Sequence, residues 1–255
     1  MDTLKKILKL TAGIGEVLTQ NGAEISRVED TMNRVALHYG VARIQVFIIT
    51  NGVFVNLEMG DDEKNVSFRH IADPSVNLYK ICQINELSRE IIENDLSLDE
   101  ALDRFHKIDH YITPPSPWHI AASGIGAAAF CYLFGGTIRD SAGALVMGAV
   151  LWAVFLILGI FHWNKVLRIV VSCFTAGLGC CLLLRFSLID GLGTAIMGSV
   201  IPLIPGLAVV NGIRDIADGD YLSGSVRILD AVVVFASIAL GVGLAVKLFG
   251  TGVVL

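Results

Sequence analysis

The stretch from 201 to 220 holds the chain's densest set of residues that could do chemistry. An apolar run is interrupted by Pro202, Pro205 and Gly206 and followed by Asn211, Arg214, Asp215, Asp218 and Asp220. The two prolines remove helix donors and crowd the carbonyls one turn earlier, and Gly206 adds flexibility. In hydrocarbon, freed backbone groups need a partner or a wet cavity. A helix broken at that depth is how many carriers build a binding site, with the half-helix N-terminus facing an anionic group. Pro202, Pro205, Gly206, Asn211, Arg214 and Asp215 are therefore the candidate substrate-binding residues, Arg214 supplying positive charge to a carboxylate. The plain alternative is a proline kink satisfied by neighbouring helices, followed by a charged loop.

Other groups carry weaker signals. Asp190 and Asp230 open apolar runs and read as interface residues or proton-carrying carboxylates. His70 and Asp73 are close in sequence. His106 and His110 are four apart on one helix face and could ligate zinc, but the sequence shows no convincing third ligand, so solvated histidines are expected and no metal. Glu24, Arg27 and Glu29 read as caps and surface ion pairs. There is no Gly-rich phosphate loop and no nucleophile elbow. Neither a catalytic residue nor a cofactor is expected. Cys82, Cys131, Cys173, Cys180 and Cys181 form no CxxC pair; most lie in apolar runs and read as small buried hydrophobes in a reducing setting.

The elements around these residues fall into two compositions. Residues 1–112 carry 12 Lys/Arg and 18 Asp/Glu, net −6; residues 113–255 carry 7 and 6, net +1. The chain as a whole is 54% hydrophobic with mean hydropathy +0.66. An acidic first half argues against a nucleic-acid partner. Leu4, Lys5, Lys6, Ile7 and Lys9 mix charge with apolar residues, so no signal peptide is expected. In the first half, Leu4, Ile7, Leu8, Ile14 and Leu18 share a helical face ending at Asn21-Gly22. Ser26 and Glu29 read as a capping box for a helix to about Gly40. Two β-rich runs joined by Asn51-Gly52 read as a hairpin, and Gly60-Asp61-Asp62 turns into a third strand near 66–70. Asp73-Pro74-Ser75 starts a helix over roughly 76–94, and Ser97 with Glu100 caps another to about His110. The order ααβββαα predicts an α+β domain over 1–112.

Thr113-Pro114-Pro115-Ser116-Pro117 breaks the chain. Five transmembrane helices are expected after it, at 118–134, 143–161, 166–184, 191–213 and 228–249, which makes the chain an α-helical polytopic membrane protein with an N-terminal α+β cytoplasmic domain. Lys165, Arg168, Arg214 and Arg227 on one side orient the N-terminal domain inside the cell (inner) membrane. Gly124/Ala128, Ala144/Gly148 and Ser237/Gly241/Ala245 repeat small residues every fourth position, for packing within the chain or on a partner, and a homo-oligomer stays open.

Three stretches give the chain a family look: Asn21-Gly22-Ala23-Glu24-Ile25-Ser26-Arg27-Val28-Glu29, then Asp73-Pro74-Ser75-Val76-Asn77-Leu78, then 204–215 with 219–224. With these the sequence resembles the threonine/serine exporter family, specifically the longer, five-span subunit of its split two-subunit form, whose relatives include succinate exporter subunits. The resemblance implies a secondary exporter of threonine and serine or of a dicarboxylate such as succinate. It also implies a smaller four-span membrane subunit as partner, since fused members carry that half in one chain and this one stops at Leu255. A membrane-embedded hydrolase and a non-transporting regulatory subunit are the competing readings.

Overall fold

The computed structural model describes residues 3–59, 63–71, 75–111 and 117–250. The turn at Gly60-Asp61-Asp62, the helix start at Asp73-Pro74 and the break at residues 113–116 lie outside the described residues. The chain divides into two compact units, one of Met1–Thr113 with Gly206–Leu229, the other of Pro114–Pro205 with Asp230–Leu255.

The first unit opens with α1 (Thr3–Gln20) and α2 (Ile25–His38), followed by β1 (Arg43–Ile49), β2 (Gly52–Met59), β3 (Glu63–His70), α3 (Leu78–Glu93) and α4 (Leu98–Asp109). The strands form one antiparallel sheet in the order β1-β2-β3. The expected face of α1 is buried, and so are Leu10, Thr11, Ala12, Gly13, Gly15 and Val17, so this helix is enclosed almost all round. Gly13 and Gly15 make that enclosure close: a β-carbon on either would lie 2.5 Å from Phe105 or Met32 respectively. Gly22 (φ 88°) and Gly40 (φ 83°) end α1 and α2 in the left-handed region that suits glycine.

Two local expectations are corrected. The hairpin turn is Thr50-Asn51, with Ile49 opposite Gly52. Gly52 is paired in the strand with Ile49 and His70, and the position is glycine because a β-carbon there would sit 2.8 Å from the Phe68 ring. The capping box at Ser26 does not form: α2 starts two residues earlier, its N-cap is Glu24, and Ser26 Oγ donates instead to Glu24 Oε1 at 3.2 Å. At α4 the cap forms as expected, Ser97 accepting from the Glu100 amide.

The second unit contains α5 (Pro117–Leu133), α6 (Ile138–Ile160), α7 (Lys165–Arg185), α8 (Leu192–Val200) and a 3₁₀ turn (Ile201–Leu203). It shares α10 (Tyr221–Phe249) with the first unit, and α9 (Gly206–Ala217) lies wholly in the first. Backbones in the second unit approach through the small residues. A β-carbon on Gly124 would lie 2.6 Å from the Leu145 carbonyl, one on Gly148 2.4 Å from Ala127, and one on Gly241 2.4 Å from the Val170 carbonyl. Cys131, Cys173, Cys180 and Cys181 are buried free thiols, while Cys82 is exposed.

The expectation of five transmembrane helices is corrected. Among the described residues three helices are long and apolar enough to cross a membrane, α6, α7 and α10; a fourth pass exists only if the bent pair Leu192–Leu203 and Gly206–Ala217 counts as one. Two of the expected spans fail for physical reasons. The one at 118–134 becomes a 17-residue helix, about 26 Å at 1.5 Å per residue, short of the ~30 Å hydrocarbon core. The one at 191–213 is cut by its prolines. The molecule is thus a multi-pass helical membrane protein with an N-terminal α+β domain.

Candidate functional site

The proline-rich stretch breaks as its chemistry predicts. α8 ends at Val200, Pro202 sits in the 3₁₀ turn closed by the Ile204 amide on the Ile201 carbonyl (3.0 Å), and Ile204 and Pro205 are non-helical. α9 then starts at Gly206. Pro202 and Pro205 are half-buried; Gly206 is exposed, and a β-carbon on it would meet nothing within 4 Å. Asn211, Arg214 and Asp215 follow at i, i+3 and i+4, on one face of α9. Eight residues separate Gly206 from Arg214, about 12 Å of helix, so the amino end of α9 and the Arg214 side chain are not brought together.

That face of α9 meets the turn between α1 and α2. Asn211 Nδ2 donates to the Gly22 carbonyl at 2.9 Å. Arg214 Nη1 pairs with Glu24 Oε2 at 2.8 Å, and Glu24 also receives Arg27 at 3.3 Å. Asp215 Oδ1 accepts from the Ile25 amide at 3.4 Å. Among the described residues α2 has no side-chain cap of its own at Glu24, so a carboxylate from 190 residues away stands at its amino end, where the helix dipole favours negative charge. Asp215 is 1% exposed and lies 3.1 Å from Arg227 Nε, an ion-pair separation without hydrogen-bond alignment. Arg227 Nη2 donates to the Ala23 carbonyl at 2.7 Å. α9 and the first turns of α10 can lie this close because Gly212 and Gly224 face each other, a β-carbon on Gly224 falling 2.7 Å from the Gly212 carbonyl. Ser223 ties α10 to the hairpin, Thr50 Oγ1 donating to its carbonyl at 3.4 Å.

The middle stretch reaches the same turn. The Ser75 amide donates to the Gln20 carbonyl (2.8 Å) and the Asn77 amide to the Asn21 carbonyl (3.2 Å). All three stretches that carry the family likeness therefore converge on residues 20–25. Arg227 and the capping role of Asp215 were not legible in sequence. Arg227 reads as a loop charge at the edge of a span, whereas it is buried in the second turn of α10. An arginine abutting a long, mostly apolar run was the available signal.

The second unit has its own polar centre. Thr137 and Asp140 form a reciprocal capping box at the start of α6, and Asp140 Oδ1 also accepts from the Asp190 and Gly191 amides at 2.7 and 2.8 Å. Asp190 pairs at 3.6 Å with Arg139, and Asp230 at 2.7 Å with Lys165. The pattern Thr137-x-x-Asp140 was a readable capping signal.

Helices long and apolar enough to span a bilayer, joined to an α+β domain, define a multi-pass membrane protein. Comparison with known proteins gives the family. Residues 9–249 match the family model described as "Putative threonine/serine exporter", and the chain belongs to that family. It is 23% identical to the "Probable threonine/serine exporter" of Mycobacterium tuberculosis, over 95% of this chain and 46% of that protein. It is 22% identical to the "Probable succinate transporter subunit YjjP" of Escherichia coli, over 96% of each. The "Pheromone-regulated membrane protein 10" of Pichia sorbitophila is 25% identical over 93% of this chain and 24% of its own length. The chain thus spans about half the length of the mycobacterial relative and nearly all of the Escherichia one. No solved structure matches it. The family assignment from the sequence stands, but the five-span description attached to it is replaced by the three or four passes above.

Proposed function

We propose that the chain is a subunit of a secondary exporter that moves small polar carboxylate metabolites, threonine and serine or a dicarboxylate such as succinate, out of the cytoplasm. The reading places it in a cell (inner) membrane with the α+β domain cytoplasmic. It pairs the chain with a smaller four-span membrane subunit, without which it does not transport. The family and the names of the Mycobacterium and Escherichia relatives support the substrate class.

One observation carries the site. Arg214 is half-exposed and already holds a carboxylate, that of Glu24, at 2.8 Å. In this reading Glu24 stands where a substrate carboxylate binds, and the two exchange on Arg214. Asn211, one turn away, offers the amide that would orient the rest of the substrate, and Pro202, Pro205 and Gly206 keep α9 separate from α8.

The test is efflux from vesicles preloaded with threonine, serine or succinate and containing both subunits. Arg214→Ala should weaken apparent substrate affinity roughly 10–100-fold, as expected for loss of a charge-assisted contact. Glu24→Gln should strengthen it by removing the competitor. Arg185→Ala, at the far end of α7, should change nothing. Wild-type efflux by a well-expressed Arg214→Ala protein would reject the site. Absence of efflux of all three compounds by the wild-type pair would reject the substrate class.

A further inference from the structure

The last turn of α4 brings together a group the sequence left incomplete. His106, Asp109 and His110 each present a ligand-capable atom, and these atoms all lie within 4.8 Å of one another. We propose that these three side chains form a binding site for a divalent transition-metal ion, zinc being the physiological candidate.

The helix sets the geometry. Positions i, i+3 and i+4 share one face, so two imidazoles and one carboxylate point to a common side. The His106 and His110 ring centroids are 6.1 Å apart with their planes at 65°, leaving room between the rings. A tetrahedral zinc with bonds of about 2.1 Å needs ligand atoms about 3.4 Å apart. Closing from 4.8 Å requires about 1.4 Å of movement, within reach of the broad second torsion of histidine and aspartate.

The surroundings favour a cation. His110 Nδ1 lies 2.9 Å from the His106 carbonyl, which also accepts the His110 amide at 3.1 Å. With Nδ1 as the donor, Nε2 carries the lone pair, and a backbone carbonyl holding the far nitrogen is the usual second-shell support of a metal-bound histidine. The end of α4 also carries the negative pole of the helix dipole. Two neutral imidazoles and one carboxylate suit zinc or cobalt rather than calcium or magnesium, which prefer all-oxygen sets. Three protein ligands leave the fourth position to water or to a ligand from elsewhere. Lys80 Nζ approaches the Asp109 backbone carbonyl, at 2.8 Å, rather than its carboxylate, so the carboxylate is not consumed by that contact.

The experiment uses the full chain, without a histidine tag, in detergent. It is stripped with a chelator and titrated with Zn²⁺ by calorimetry and with Co²⁺ by visible absorption. One ion per chain is expected, with the intense d–d bands of four- or five-coordinate cobalt. His106→Ala, His110→Ala and Asp109→Asn should each weaken binding by at least the roughly 10–100-fold that even an outer-shell partner is worth. His70→Ala and His162→Ala should bind as wild type. All three replaced residues sit at a helix end, and size-exclusion profiles would confirm that the variants stay folded; His106→Gln and His110→Gln serve if an alanine variant does not. Absence of saturable binding, or equal binding by the ligand variants and the controls, would overturn the site.

Discussion

At the scale of single residues, Asp215 ties α9 to α2 and α10. Its carboxylate faces Arg227 on one side and the amino end of α2 on the other, and both side chains of the pair are nearly fully buried. Removing one member of such a pair leaves an uncompensated buried charge, typically a loss of ~3–5 kcal/mol, whereas replacing both by apolar groups of similar size is often neutral or better. Arg227→Leu should therefore lower the thermal unfolding midpoint in detergent sharply. Arg227→Leu combined with Asp215→Leu should recover much of the loss, less the ~1 kcal/mol that a lost helix cap costs. A single Arg227→Leu protein as stable as wild type would show that the pair holds nothing together. The sequence revealed half of this arrangement. Arg214 and Asp215 stood out as charges behind a broken helix. Arg227 did not, because its meaning lies in Asp215, twelve positions back, and in the Ala23 carbonyl, which no local pattern connects to it.

At the scale of elements, periodicity and turn chemistry gave the order of the α+β domain, because each of its helices has a strong apolar face and most end in a glycine or start at a cap. The errors came where a residue's role is set across the fold. Gly52 looked like a turn residue but is paired in the strand, where glycine admits the Phe68 ring. Ser26 looked like a cap, but the amino end of α2 is served by Asp215. In the second unit the small-residue repeats were correctly legible as packing faces, and their contacts lie within the chain. α5 meets α6 where Gly148 lies against Ala127 and Gly124 against the Leu145 carbonyl, with Ser123 Oγ donating to the Gly148 carbonyl at 2.9 Å. A leucine at 148 has no space: its first carbon already falls 2.4 Å from Ala127. Gly148→Leu should cost at least the ~1–3 kcal/mol of an overpacked core, seen as a lower unfolding temperature and lower yield. Gly126→Leu, on the same α5 with nothing within 4 Å of a β-carbon, should be tolerated. Equal behaviour of the two variants would mean that α5 and α6 do not pack through these glycines.

At the scale of the whole molecule, the change in composition near residue 113 announced a membrane-embedded half, and hydropathy found α5, α6, α7 and α10 but read α8 and α9 as one span. Hydropathy could not say how many cross, because a 17-residue helix and a helix cut by two prolines have the same composition as full spans. It also could not show that Gly206–Leu229 belongs to the same compact unit as the α+β domain, since hydrogen bonds between residues 175–204 positions apart leave no local trace. That membership bears on topology. α10 begins beside the domain, with Ser223 and Arg227 bonded to Ile48 and Ala23, and is itself long enough to cross once. Its far end at Phe249 should therefore lie on the opposite side of the membrane from the domain. An odd number of passes is required for this, which fits α6, α7 and α10 crossing and the bent pair entering and returning on one side. If the bent pair were a full fourth pass, both ends would be on the same side. A reporter active only in the cytoplasm, placed at Asp95 or after Phe249, distinguishes the two. Activity at Asp95 and silence after Phe249 is the expected pattern, and activity at both positions would establish the fourth pass and show that the start of α10 does not rest on the domain's side.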